Sequence, residues 1–275
     1  MKPSRFEYER PADLASVIRL IQDEDRVVKI IAGSQSLGPM LNLRLVQPDL
    51  LVDITGIPEL KRVEIGKDTI TIGACVTHAD IEDGRVPDVT GGALSKVARG
   101  IAYRAVRNRG TLGGSLVHAD PSADWVSSLA AIGADVLIAG PSGQRWVPVD
   151  AFMTGVFEVD LGPGELLEAV RIPRLSAAAR WGFHKICRKT GEFAHALSVV
   201  LHDPQRSVCR VVVGATESKP IVVRDARALF PDGRHLDVDA ARELLTDAGH
   251  NDAIDNQIHL AALKRAVERA EQPCT

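Results

Sequence analysis

The chain has 275 residues, of which 45% are hydrophobic and 25% charged, with a formal net charge of -3. These are the proportions of an ordinary globular protein, long enough for two or three small domains and able to bury its core without disulfides or a metal. The near-neutral balance excludes electrostatic capture of nucleic acid or anionic lipid, so neither is expected as a partner.

The start, Met1 to Arg10, is polar and lacks the apolar core of a signal peptide. No run approaches the roughly 20 apolar residues that a membrane span needs, and a cytoplasmic location is the expectation. Pro11-Ala12-Asp13, followed by Leu14, Val17, Ile18 and Ile21, has helical spacing and predicts an amphipathic helix ending near Asp23. Val27 to Ala32 is a short β-branched run that predicts a buried strand, and it stops at Gly33-Ser34-Gln35-Ser36. A weakly helical stretch, Leu37 to Leu45, precedes a second strand, Asp49 to Ile54.

From Leu60 the text alternates in hairpin style, Arg62 to Ile65 and Thr69 to Ala74 around Gly66-Lys67-Asp68. Thr77 has the character of an N-cap, with Asp80 and Glu82 in the first turns that follow. Leu94, Val97, Ala98 and Ile101 form a helical stripe, and Ala123 to Ile132 predicts another helix. Strands are expected at Ala134 to Ala139 and Glu168 to Ile172. Ser176 to Ala179 is a flexible-looking junction and the candidate boundary. Beyond it, Trp181 to Arg188, Ala196 to His202 and Ser207 to Gly214 predict three strands, followed by helices over Asp239 to Ala248 and Ile254 to Glu271. Cys75, Cys187, Cys209 and Cys274 are scattered without metal-ligand spacing, so no metal and no iron–sulfur cluster is expected in this chain.

Two loops carry the chemistry. Ala32-Gly33-Ser34-Gln35-Ser36-Leu37 follows a buried strand, and small residues there let several backbone N–H groups converge on a diphosphate. The same residues also suit a plain strand-to-helix turn. The loop is neither a G-x-G-x-x-G fingerprint nor a P-loop. The second loop runs from Arg107 to Asp124, with Gly110, Gly113 and Gly114 followed by Ser115, His118, Asp120 and Asp124. Ordinary turns and a helix entry at Asp120-Pro121 explain each of these residues singly but not their density.

Taken together, the two loops resemble the medium, FAD-binding subunits of the molybdenum hydroxylases, such as carbon monoxide dehydrogenase and xanthine dehydrogenase. That family's first motif reads approximately A-G-G-x-S-L, here Ala32 to Leu37, with Ser34 in place of the second glycine. Its second reads approximately T-I-G-G-[NS]-x-x-H-A-D-P-x-x-[DE], here Thr111 to Asp124. The opening Phe6 to Pro11 and the tail segment Lys185 to Ala194 are similar to the family as well.

The resemblance implies an α+β chain. A two-subdomain FAD-binding fold of the vanillyl-alcohol-oxidase-like (PCMH) type is expected over residues 1–177, divided into about 1–55 and 56–177. A C-terminal α+β domain, 178–275, is expected with a three-stranded antiparallel sheet and helices. It further implies that Lys29, Ala32, Gly33, Ser34, Gln35 and Ser36 wrap the FAD pyrophosphate, and that Thr111, Gly113, Gly114 and Ser115 approach from the other side. Asp124 matches an acid that binds ribityl or ribose hydroxyls; Ile101 and Leu167 match apolar cofactor contacts. Lys185 matches a lysine beside the isoalloxazine, where it would steady negative charge; on its residues alone it reads as a solvated strand lysine. His118 and Asp120 fall near the flavin by position, and Phe193 either shields the flavin face or packs in a core.

No catalytic residue is expected, because the cofactor carries the redox chemistry. The implied function is an oxidoreductase subunit passing electrons from [2Fe–2S] clusters through FAD to an external acceptor. The implied partners are a molybdopterin-binding large subunit and a [2Fe–2S] small subunit, as a dimer of heterotrimers. A stand-alone flavin oxidase or reductase on the same fold is the other reading.

Overall fold

The computed structural model describes residues 2–271; Cys274 lies outside the described residues. The chain opens with β1 (Glu7–Glu9), α1 (Leu14–Ile21), β2 (Val28–Ile31), α2 (Leu37–Asn42) and β3 (Leu50–Asp53). The three strands form a parallel sheet of order β1-β3-β2, with Glu7 opposite Leu50 and Val28 opposite the same residue on the other side. Its middle strand is apolar and buried, whereas β1 is an exposed edge whose Glu-Tyr-Glu text carries no strand signal. The expected helix at Leu14 is confirmed: Asp13 caps it by accepting from the Ser16 N–H at 2.7 Å, and Val17 is its buried anchor.

The second sheet draws on β4 (Val63–Ile65), β5 (Thr69–Gly73), β6 (Asp135–Gly140), β7 (Gly143–Pro148) and β10 (Leu166–Pro173). Its order is β4-β5-β10-β6-β7, all antiparallel. Between its strands run α3 (His78–Glu82), α4 (Ala93–Gly100), α5 (Arg104–Arg107), α6 (Leu112–His118), α7 (Asp124–Ile132) and α8 (Val149–Phe152), with a small ribbon of β8 (Met153–Gly155) and β9 (Glu158–Val159). Thr77 caps α3 through a full capping box with Asp80.

Helix α7 organises the molecule. All nine of its residues are buried, as expected of a helix with no clear polar face. It packs against β12 (Ala196–Asp203) and β13 (Val208–Gly214) of the third sheet as well as against β10. Arg210 of β13 finishes it, donating to the Ala130 and Ala131 carbonyls at 3.2 and 3.1 Å, a cation at the end where the last carbonyls lack partners. Trp125 of α7 is fully buried in the main core, where truncation to alanine would cost about 3–5 kcal/mol.

The third sheet comprises β11 (Arg180–Ile186), β12, β13 and β14 (Ile221–Val223), in sequential antiparallel order. The three expected strands are thus joined by a fourth, short one on the open edge of β13. Helices α9 (Val238–Asp247) and α10 (Ala253–Glu271) follow, and α10 covers β11 and β12. One core continues from the first two sheets into Trp181, Phe183, Leu197 and Val212 of the third, while a second core fills the space between its other face and the helices. The segment read as a flexible junction is pinned: the buried Asp203 carboxylate accepts from both the N–H and the hydroxyl of Ser176, at 2.9 and 2.5 Å. Small residues suggested slack, but a distant buried acid supplies the anchor.

Candidate flavin site

The Ala32–Ser36 loop turns the chain from β2 into α2. Ser34 adopts φ +62°, in the left-handed region that a residue with a Cβ avoids at a cost of about 1–2 kcal/mol. The chain tolerates this because the turn must reverse within a few residues, and the Ser34 carbonyl accepts from the Gly38 N–H at 3.0 Å to begin α2. The Gln35 side chain folds back to donate to the Gly33 carbonyl at 2.9 Å. Among the described residues, the backbone N–H groups of Gly33, Ser34, Gln35 and Ser36 meet no acceptor. Four successive unpaired donors at one turn form a ready anion-binding concavity.

Gly33 sits directly against the second loop. A Cβ there would come within 2.8 Å of Gly110 Cα and nearer still to the Arg109 carbonyl, so the two loops touch backbone to backbone. The second loop then departs from its expected form: Gly113, Gly114 and Ser115 lie in the first turn of α6, with Thr111 as N-cap accepting from the Gly114 N–H at 3.1 Å. The Leu112 and Gly113 N–H groups donate to Val76 and Ala74, and that of Ser115 to Thr111. Its backbone donors are therefore already committed, whereas the first loop keeps its N–H groups free. Gly113 is buried against Ala74, with 2.5 Å available to a Cβ; Gly114 is exposed, and a Cβ on it would meet only the Thr111 hydroxyl. Lys29 is exposed on β2.

The downstream residues fall into two groups. Asp124, the first residue of α7, and Lys185, near the end of β11, form a buried ion pair: Lys185 Nζ lies 2.9 Å from Oδ1 and donates to Oδ2 at 3.1 Å. The same ammonium donates to the Gly100 carbonyl at 3.1 Å. Lys185 is thus buried, not the solvated strand lysine that its residues alone suggested. Both carboxylate oxygens of Asp124 thus lie against the Lys185 ammonium, although among the described residues none donates to Oδ1 in good hydrogen-bond alignment. Burial drives the Asp124 carboxyl pKa upward, and the Lys185 charge offsets this only in part.

Ile101, half-buried just after α4, pairs as a bridge with Gly191 of the tail. Arg107 holds this corner: it donates to the Ile101 and Ala102 carbonyls at 3.0 and 2.9 Å and grips Glu82 with two further donors at 2.6 and 3.0 Å. Phe193 is 63% exposed, so it is not a core residue. Tyr103, two residues beyond Ile101, is also exposed. His118 stacks obliquely on the exposed Phe157 at 5.1 Å. The Asp120 carboxylate accepts from the Ser122 N–H at 2.8 Å to shape the turn into α7. Leu167 is buried in the main core on β10.

His78 supports the second loop and carried no motif. Its backbone N–H donates to the Gly110 carbonyl at 2.9 Å, and its Nδ1 accepts from the Trp125 indole at 3.1 Å. Burial and the nearby Arg107 push its pKa down to about 4, so it is a neutral imidazole at physiological pH.

A small parallel sheet followed by an antiparallel sheet, meeting at two glycine loops and backed by an α+β tail, is the architecture of a flavin nucleotide-binding subunit. The match is specific: residues 4–175 fit the family described as the FAD binding domain in molybdopterin dehydrogenase. The carbon monoxide dehydrogenase medium chain of Hydrogenophaga pseudoflava is 31% identical over 290 residues, covering 100% of both chains. Subunit alpha of the 6-hydroxypseudooxynicotine dehydrogenase complex of Paenarthrobacter nicotinovorans is 36% identical, covering 84% of this chain and 80% of that one. The crystal structure of quinoline 2-oxidoreductase from Pseudomonas putida 86 contains a chain that superposes with a TM-score of 0.85 at 32% identity, covering 100% of each. The chain belongs to the FAD-binding subunits of the molybdenum hydroxylase-type dehydrogenases, and it is an oxidoreductase subunit.

Proposed function

We propose that this chain holds FAD as the electron-transfer subunit of a multi-subunit molybdenum hydroxylase. Partner subunits, a large one with molybdopterin and a small one with [2Fe–2S] clusters, would deliver electrons to this chain, and they would leave it for an external acceptor. The carrying observation is the contact of Gly33 with the Arg109–Gly110 backbone, which joins both loops into one cradle while four N–H groups stay unpaired. A dimer of heterotrimers in the cytoplasm fits this reading; among the described residues no helix is long and apolar enough to cross a membrane.

In this reading the N–H groups of Gly33 to Ser36, with the Ser34 and Ser36 hydroxyls and Lys29 at the rim, bind the diphosphate. Ala32, Thr111, Gly113, Gly114 and Ser115 shape its walls. The Asp124 carboxylate, held by Lys185, accepts from a ribityl or ribose hydroxyl. Lys185 supplies positive charge next to the flavin ring, Ile101 presents apolar surface, Leu167 contributes from within the core, and Phe193 screens the ring from solvent, with His118 and Asp120 at the margin. FAD, when bound, supplies reversible one- and two-electron redox chemistry; the protein supplies position and electrostatics.

Relatives of similar identity are named for carbon monoxide, a hydroxylated nicotine derivative and quinoline. That spread is expected if the organic substrate is chosen elsewhere in the complex. Refolding the chain with excess FAD, followed by gel filtration, should yield a yellow protein with about one flavin per chain. A colourless product would refute the proposal, and turnover of an organic substrate by this chain alone would favour a stand-alone oxidase.

A further inference from the structure

The tail carries a second cluster unconnected with the flavin cradle. His250, Asp255 and His259 each offer a ligand atom, and these atoms all lie within 4.8 Å of one another. His259 is fully buried on α10, yet among the described residues neither ring nitrogen has a hydrogen-bond partner. Its Nε2 lies 3.4 Å from Asp255 Oδ2, too long for a good hydrogen bond. His250 Nδ1 lies 3.7 Å from the same oxygen. Ligands bound tetrahedrally at about 2.0–2.2 Å are separated by roughly 3.3–3.6 Å, so both edges are close to a coordination polyhedron.

The scaffold fixes this geometry in advance. α9 ends in a Schellman turn, with the Gly249 N–H donating to Thr246 and the His250 N–H to Leu245, each at 2.9 Å. Two residues later Asp252 opens α10 by accepting from the N–H groups of Ile254 and Asp255 at 2.8 Å. The Asn256 side chain donates to the His250 carbonyl at 2.8 Å, tying the turn to the helix. Asp255 and His259 are one helical turn apart on the same face. Asp255 is 41% exposed and gives an ion a route in from solvent.

We propose that His250, Asp255 and His259 form a binding site for a divalent late-transition cation of the zinc class, which staples α9 to α10. Two imidazoles and one carboxylate suit such an ion and disfavour magnesium or calcium, which take oxygen ligands.

The test uses the full, untagged chain, freed of metal by chelation, and adds Co2+ and Zn2+ separately. Wild type should show the visible absorption of low-coordinate Co2+ saturating at one ion per chain. Zinc at about a hundred times its dissociation constant should raise the chain's unfolding temperature by roughly 5 °C. His250→Ala and Asp255→Asn, both at partly exposed positions, should each weaken binding by about tenfold or more. Both should retain FAD as wild type does, which separates this site from the flavin cradle. No Co2+ absorption in wild type, or undiminished binding in both variants, would overturn the proposal. Equal stabilisation by magnesium would do the same.

Discussion

Lys185 and Asp124, 61 positions apart in the chain, meet as a buried ion pair whose Asp124 Oδ1 lacks an aligned donor. Burial raises the Asp124 pKa in spite of Lys185, so the carboxylate carries a desolvation cost that its partner offsets only in part. Such a pair makes sense as a preorganised contact for a ligand. Lys185→Met alone leaves an uncompensated carboxyl and is expected to cost about 3–5 kcal/mol. The double variant Lys185→Met/Asp124→Leu should recover to within about 2 kcal/mol of wild type while losing FAD, as read from denaturant midpoints and flavin content. Retained FAD in the double variant would mean that the pair is only structural.

The same pair predicts a pH dependence. A carboxyl whose folded pKa is raised contributes stability that is fully present below its unfolded value, about 3.9, and lost as pH rises through the folded one. Asp124 is such a group. In FAD-free protein, the unfolding free energy of wild type relative to Asp124→Asn should therefore decline as pH rises from about 4. Denaturant melts of both proteins across the acid range check it, the difference cancelling the oppositely shifted carboxylates elsewhere. A flat difference would contradict the burial argument.

Glycines in the two loops should behave differently. Gly114 faces open space apart from the Thr111 hydroxyl, so Gly114→Val should fold and yet lose FAD. Gly33→Ala would drive a methyl into the Arg109 and Gly110 backbone and should lose stability as well, by about 1–3 kcal/mol. Circular dichroism melts and flavin content measured on both variants separate the two effects.

Ser34 combines a strained φ of +62° with a hydroxyl at the turn of unpaired donors. Ser34→Gly relieves the strain but adds chain entropy, so stability should change by less than about 1 kcal/mol. If the hydroxyl binds diphosphate, its loss removes a charge-assisted hydrogen bond worth about 1.5–3 kcal/mol and weakens FAD by about 10- to 100-fold. Unchanged affinity by fluorescence titration would assign Ser34 to backbone geometry alone.

Arg107 places four donors on Glu82 and the Ile101 and Ala102 carbonyls. A lysine cannot reproduce that planar fork, so Arg107→Lys should cost about 2–3 kcal/mol and loosen the Ile101 corner. Thermal melts and FAD titration together check it; wild-type values in both would refute the role.

The amino-acid sequence by itself determined most local features. Asp13 and Thr77 cap the helices they were expected to start, because their side chains bond to N–H groups three residues on. The β-branched run before Gly33 and the hairpin around Gly66 became strands for equally local reasons. The loop motifs, too, were legible residue by residue. Tertiary structure decided what no window of sequence contains. Exposed Glu7 to Glu9 became a strand only because β3 offered a free edge, and Gly113 to Ser115 became helical because Ala74 and Val76 hold the turn that Thr111 caps. The environment of Lys185 depends on where α7 presents Asp124, and that of His259 on the turn that carries His250. Burial and charge pairing between distant segments are properties of the packed chain, since the energy of each group depends on which others exclude its water.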